Sequence, residues 1–154
     1  IIDVYKGYFA VQYIPQFLNN ETVYIKILAA LGAIFGHVYP LYFKFKGGKG
    51  VGTALGTLFA FSKLLPITLI SFLLWFLFLI ISGYVGLSSI LATLSVPIIY
   101  FLNNNTISDP LGIYSLIITS FIVFTHRENI KRMLNGTENQ FKKIMIINLF
   151  IKNN

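Results

Sequence analysis

Lys44, Lys46 and Lys49 sit among Gly47, Gly48 and Gly50 within seven consecutive positions of the segment GHVYPLYFKFKGGKGVGTALG, residues 36–56. Glycines let a backbone come close to an anion and leave its amides bare. Lysine adds a point charge, and a helix starting just beyond contributes free N–H groups. Together they suit phosphate. The spacing is not that of a Walker loop, because Gly50 follows Lys49 where Ser or Thr belongs and Phe43 stands at the first glycine position. A dinucleotide glycine fingerprint fails as well, at Thr53. The competing reading is an ordinary basic turn.

A second group, His126-Arg127-Glu128-Asn129, follows a long apolar run and brings acid–base residue types into four positions. It also fits a helix exit, where His and Arg complement the dipole and anchor to headgroups. His37, with Pro40 nearby, is either structural or catalytic, and a polar group at that depth needs a partner. Ser88 and Ser89 lie just past the Gly83/Gly86 break and are expected to cap the next helix or to bond a substrate. Asp3 and Lys6 are expected to form a local ion pair.

Other chemistries are excluded. There is no cysteine, so disulfides, thiol catalysis and thiolate metal sites drop out. Two histidines without a carboxylate cluster make no metal site, and no cofactor is expected. A His-x4-Asp motif is absent, since Tyr42 and Lys131 stand at the required positions. Neither a carboxylate pair nor a serine nucleophile elbow is present. Nucleic acid is not an expected partner, because no arginine cluster and no soluble module carry one.

The elements that must hold these residues are membrane helices. Of 154 residues, 56% are hydrophobic and 11% charged, against about 25% charged in a soluble domain. From Leu64 to Ser108 no Asp, Glu, Lys, Arg or His occurs, a stretch long enough for two spans. Apolar runs are expected at 8–18, 23–43, 51–61, 64–82, 87–102 and 111–125. The fold class is therefore all-α, a polytopic transmembrane bundle of about five to six helices in one domain, 1–154, with a basic tail at 126–154. Thr22 is expected to cap one helix, Pro97 to kink another, and Gly52, Ala54, Gly56 and Ala60 to permit close packing. The segment 144–151 is too short to span. If 51–61 crosses the bilayer, the start, the lysine loop, the Gly83–Ser89 turn and the tail share one side. The net charge of +7, concentrated there, puts that side in the cytoplasm. No oligomeric state is legible.

Several segments together resemble one family, the bacterial integral-membrane acyl-phosphate:glycerol-3-phosphate acyltransferases. The resemblance runs through Asp3-x-x-Lys6-Gly7, Gly36-His37-Val38-Tyr39-Pro40 and Phe45-Lys46-Gly47-Gly48-Lys49-Gly50-Val51. It continues in Tyr84-Val85-x-Leu87-Ser88-Ser89, His126-Arg127-Glu128-Asn129-Ile130 and Gly136-Thr137-Glu138. It implies transfer of a fatty acyl group from acyl phosphate to the 1-hydroxyl of glycerol 3-phosphate. The products would be lysophosphatidic acid and phosphate, formed at the cytoplasmic face of the bacterial inner membrane.

Carried onto this chain, the resemblance assigns Lys46, Gly47, Gly48, Lys49, Gly50, Ser88 and Glu128 to substrate binding. Lys49 would neutralise the departing phosphate and Ser89 and Asn129 would orient substrate oxygens. His126 would accept the hydroxyl proton, a role a substrate phosphate could fill instead. Two departures stand out. A Ser-Gly-Asn motif and a first helix are expected ahead of Asp3 and are missing, so the chain, which begins with Ile1, is expected to be an inactive fragment of an active enzyme. Gly83 and Gly86 also replace an Arg and a Ser of the family's third motif. A small membrane transporter for anionic solutes is the alternative, and it has no need of the His-Arg-Glu-Asn group.

Overall fold

The computed structural model describes residues 1–45, 47–104, 106 and 108–141. The expectations for Lys46 and for 144–151 fall outside the described residues. Among the described residues seven α-helices follow in order: α1 (Ile2–Phe17), α2 (Val23–Val38), α3 (Val51–Ala60), α4 (Leu65–Ser82), α5 (Val85–Asn104), α6 (Pro110–Thr125) and α7 (Arg127–Leu134). Among the described residues there is no strand. The stretches Val23–Phe43, Ser62–Ser82 and Val85–Asn103 are long and apolar enough to cross a membrane, while α3 and α6 are apolar but shorter. The chain is an all-helical membrane bundle.

Local sequence explains the boundaries. Pro66 sits in the first turn of α4, where its missing N–H costs nothing. Gly83 ends that helix in the left-handed region at φ 71°, its amide bonded to the Leu79 carbonyl at 2.8 Å. Asp109 caps α6, accepting from the Leu111 amide at 2.9 Å. Thr22 occupies the position before α2 but its side chain makes no capping bond. The α5 helix begins at Val85, not Leu87, and runs unbroken past Pro97. Ser88 and Ser89 therefore lie one turn inside α5, and the capping role expected of them is not filled. Their hydroxyls instead donate back to the carbonyls of Tyr84 and Val85, at 2.8 and 2.9 Å.

The small residues of α3 do what close packing requires. A Cβ on Gly56 would collide with the Val4 carbonyl, and one on Gly7 with the Thr53 carbonyl, so α1 and α3 cross backbone to backbone. The two helices run the same way, since Gln12, late in α1, donates to the carbonyl of Ala60 at the end of α3 at 2.9 Å. Two hydroxyls between helices are paired, as an apolar surrounding favours. Tyr114 of α6 donates to Thr57 Oγ1 of α3 at 2.6 Å, and Thr119 of α6 donates to the Thr93 carbonyl of α5 at 3.0 Å.

These contacts fix which loops share an end. The starts of α1, α3 and α5 lie with the ends of α2, α4 and α6 and with α7. Lys26 with Glu21 (3.3 Å) and Lys63 with Asp109 (2.5 Å) mark the opposite end. Although α3 spans only about 15 Å by its ten residues, it carries the chain from one end to the other, so the turns alternate.

Candidate functional site

A cavity of about 770 Å³ opens where the lysine turn, the α4–α5 junction and α7 meet. Its mouth is polar, lined by Gly48, Lys49, Ser89, His126, Asn129 and Glu138. Its depth is apolar, lined by Leu55 and Leu58 of α3, Phe72 and Trp75 of α4 and Val96 of α5.

The turn is shaped by α2. The Gly47 amide donates to the Val38 carbonyl at 3.1 Å. A Cβ on Gly47 would run into the His37 carbonyl, and one on Gly48 into the His37 ring, so only bare backbone fits there. Gly50 takes φ 82° and precedes α3 without any side-chain cap. The first amides of α3 are thus left without helical partners, and Val51 and Gly52 line the cavity. Thr125, at the end of α6, lies 2.9 Å from the Lys49 carbonyl and holds the turn beside His126. Partial desolvation at the mouth pulls the Lys49 ammonium below its ordinary pKa, Glu138 opposing this and Arg132 adding to it.

His126 is 2% exposed. Its Nδ1 lies 2.8 Å from the Ile122 carbonyl. A carbonyl can only accept, so Nδ1 carries the proton and Nε2 keeps the lone pair. Burial lowers the imidazole pKa, the Ile122 bond opposes it, and Lys49 lowers it further. The ring is neutral at physiological pH, the form a proton acceptor needs. One helical turn on, Asn129 is 3% exposed and its Oδ1 has no partner among the described residues. Its Nδ2 donates to Glu138 at 2.6 Å.

Three expected site residues lie elsewhere. Ser88 is fully buried with its hydroxyl on Tyr84, off the cavity lining. Glu128 is exposed and faces away from the cavity. Neighbours on a helix point about 100° apart, so Glu128 cannot share the face that His126 and Asn129 occupy three residues apart. Gly47 lines a separate hollow of about 260 Å³ behind the turn, with Arg127 and Thr125. Ser89 does reach the cavity, but its oxygen also accepts from the Trp75 indole at 3.1 Å.

Trp75, Arg132 and Asn139 also line the cavity, and spacing alone does not single them out. Asp3 and Lys6 pair at 2.9 Å as expected, and both close on His37, with Lys6 Nζ at 2.5 Å and Asp3 Oδ1 at 3.3 Å from Nδ1. Gly86 packs on Asn129, where a Cβ would come within 3.0 Å of its amide nitrogen. Arg132 was legible in principle, as it continues the three-residue spacing of His126 and Asn129.

The model of the glycerol-3-phosphate acyltransferase family matches residues 1–136. The chain is 39% identical over 143 residues to the glycerol-3-phosphate acyltransferase of Endomicrobium trichonymphae, covering 92% of this chain and 68% of that one. It is 39% identical over 118 residues to that of Aquifex aeolicus, covering 77% of this chain and 59% of the relative. Among solved structures it is similar to PlsY, described as an integral membrane glycerol 3-phosphate acyltransferase. The lysophosphatidic acid form and the glycerol 3-phosphate form each give a TM-score of 0.78 at 36% identity and cover 91% of this chain. They are covered over 69% and 68% of their own length, respectively. The chain thus spans about two thirds of the length of the relatives it matches.

Proposed function

The chain belongs to the glycerol-3-phosphate acyltransferase family, and on that premise we propose that the protein moves a fatty acyl group from acyl phosphate to the 1-hydroxyl of glycerol 3-phosphate. The supporting observation is the cavity itself. A mouth with an ammonium, helix-start amides and a neutral imidazole opens onto an apolar interior, matching a reactant with an anionic head and a fatty tail.

An acyl phosphate is already activated, so positioning and charge neutralisation are the main demands. The hydroxyl oxygen bonds to the acyl carbonyl carbon and the carbon–oxygen bond to phosphate breaks. The electron pair leaves with phosphate. Lys49 and the amides at Gly48, Gly50 and Val51 meet the charge that develops there. The hydroxyl proton goes to His126 Nε2 and from there to the released phosphate. Asn129 Oδ1 accepts from the 2-hydroxyl of glycerol 3-phosphate and so orients the substrate, and Ser89 borders the carbonyl. Among the described residues, Lys44, Lys49, Arg127, Lys131 and Arg132 lie at the cavity end. That excess supports a cytoplasmic site at the inner membrane, with α7 and the segment after it as a cytoplasmic tail.

The experiment supplies acyl phosphate and labelled glycerol 3-phosphate to the purified full-length protein. Lysophosphatidic acid and inorganic phosphate in equal amounts are expected. Movement of glycerol 3-phosphate across vesicles without that product would replace this reading with a transporter.

A further inference from the structure

The segment after α7 folds back over the cavity mouth. The Phe141 amide donates to the Gly83 carbonyl at 2.8 Å, and Glu138, Asn139 and Phe141 line the cavity. Glu138 stands at the centre of this return. One carboxylate oxygen accepts from Asn129 Nδ2 and the other from Arg132 Nε, each at 2.6 Å. Its side chain is only 9% exposed, although it sits at the polar rim.

An ionised carboxylate has no proton to give, so it decides which way the Asn129 amide faces. The NH2 must turn to Glu138 and the carbonyl oxygen must turn away from it. That oxygen, buried and without a partner among the described residues, is then an acceptor that needs a donor. Gly86 leaves the space in which the amide sits. The same carboxylate restrains the Arg132 guanidinium through Nε, and the side chain is 46% exposed, so that its terminal N–H groups, without a partner among the described residues, can meet an anion.

We propose that Glu138 is a positioning residue for acyl transfer, setting Asn129 so that Oδ1 accepts from the 2-hydroxyl of glycerol 3-phosphate, which leaves the 1-hydroxyl proton to His126, and aiming Arg132 at the substrate phosphate. The inference rests on the proposed reaction. It runs against simple electrostatics, because a carboxylate near Lys49 repels an anionic substrate. If charge alone mattered, removing it would tighten binding of glycerol 3-phosphate. If positioning matters, removing it weakens the reaction.

The test is a double-mutant cycle of Glu138→Gln with Asn129→Ala in the full-length protein, read by steady-state transfer and by the rise in melting temperature that glycerol 3-phosphate induces. Glu138→Gln is expected to lower kcat/KM about tenfold or more, and to shrink the induced rise in melting temperature. In the Asn129→Ala background the same substitution is expected to change kcat/KM less than about twofold, since its target is gone. Glu138→Asp, which keeps the carboxylate, is expected to recover part of the loss. An equal loss in both backgrounds, or a lower KM at unchanged kcat, overturns the inference. A wild-type protein that gives no product contradicts the reaction itself. The melting measurement then still reports on Glu138, and an undiminished rise in Glu138→Gln overturns its role.

Discussion

Thr125 Oγ1 lies 2.9 Å from the carbonyl oxygen of Lys49, 76 positions away in the chain. The bond ties the glycine-rich turn to the last residue of α6, next to His126. Two segments that carry different chemistry are thereby held at one rim. Lys49 and His126 both line the cavity there.

Lys49→Ala removes the ammonium at the mouth while leaving the glycine amides. We expect kcat/KM to fall by about a hundredfold or more, the scale of losing one preorganised charge-stabilising donor. Lysophosphatidic acid formation under subsaturating glycerol 3-phosphate checks this. A normal rate at normal affinity would remove Lys49 from the phosphate site.

His126→Ala is expected to depress kcat by about a hundredfold, within the range for losing a general base, with little change in KM. The wild-type rate should rise with pH as the imidazole loses its proton and should level off below the ordinary histidine pKa, because burial holds the ring low. Stability follows the same sign. The folded state binds fewer protons at His126 than the unfolded state, so this contribution is full above about pH 6.5 and is lost as pH falls through the lowered value. A melting series in detergent between pH 5 and 8 reads it, and His126→Ala should flatten the slope.

The membrane bundle was legible in the chain itself. A charge-free run from Leu64 to Ser108 can only be lipid-covered, and Pro66, Gly83 and Pro110 mark helix ends for reasons of φ and missing donors. The grouping of Lys49 with His126 was legible only on the condition that 51–61 crosses the bilayer, because it depends on which turns share an end, and the resemblance pointed the same way. Of the two expectations for Ser88 and Ser89, capping fails because the helix starts two residues before Leu87, at Val85. Glu128 enters as a substrate-binding residue through the resemblance alone, and helical geometry sets it on a different face from Asn129. Glu138 stands out in the sequence only through the resemblance at Gly136-Thr137-Glu138, since the backfolding that brings it to Asn129 leaves no periodic trace.

Gly56→Leu forces a side chain into the Val4 carbonyl at the α1–α3 crossing. We expect destabilisation of about 1–3 kcal/mol or more, as for other overpacked contacts. Thermal unfolding of the purified protein measures it. Gly32→Leu, where an added Cβ meets nothing within 4 Å, is the matched control and should stay close to wild type.

Asp109→Ala deletes the α6 cap and the partner of Lys63 at the end of the bundle remote from the cavity. A loss of about 1 kcal/mol in stability is expected, with transfer unchanged at a temperature where the protein remains folded. A matching fall in kcat would show that the two ends are coupled.

The measurement that bears most directly on the central claim is sidedness. The native chain has no cysteine, so single cysteines can be placed by Lys44→Cys, beside the glycine turn, and by Glu128→Cys, beside His126, both at exposed positions. In sealed inner-membrane vesicles of known orientation, a membrane-impermeant maleimide should label both from the cytoplasmic face. Labelling of one from the cytoplasmic face and the other only from the opposite face would separate Lys49 from His126 and contradict a single site for acyl transfer.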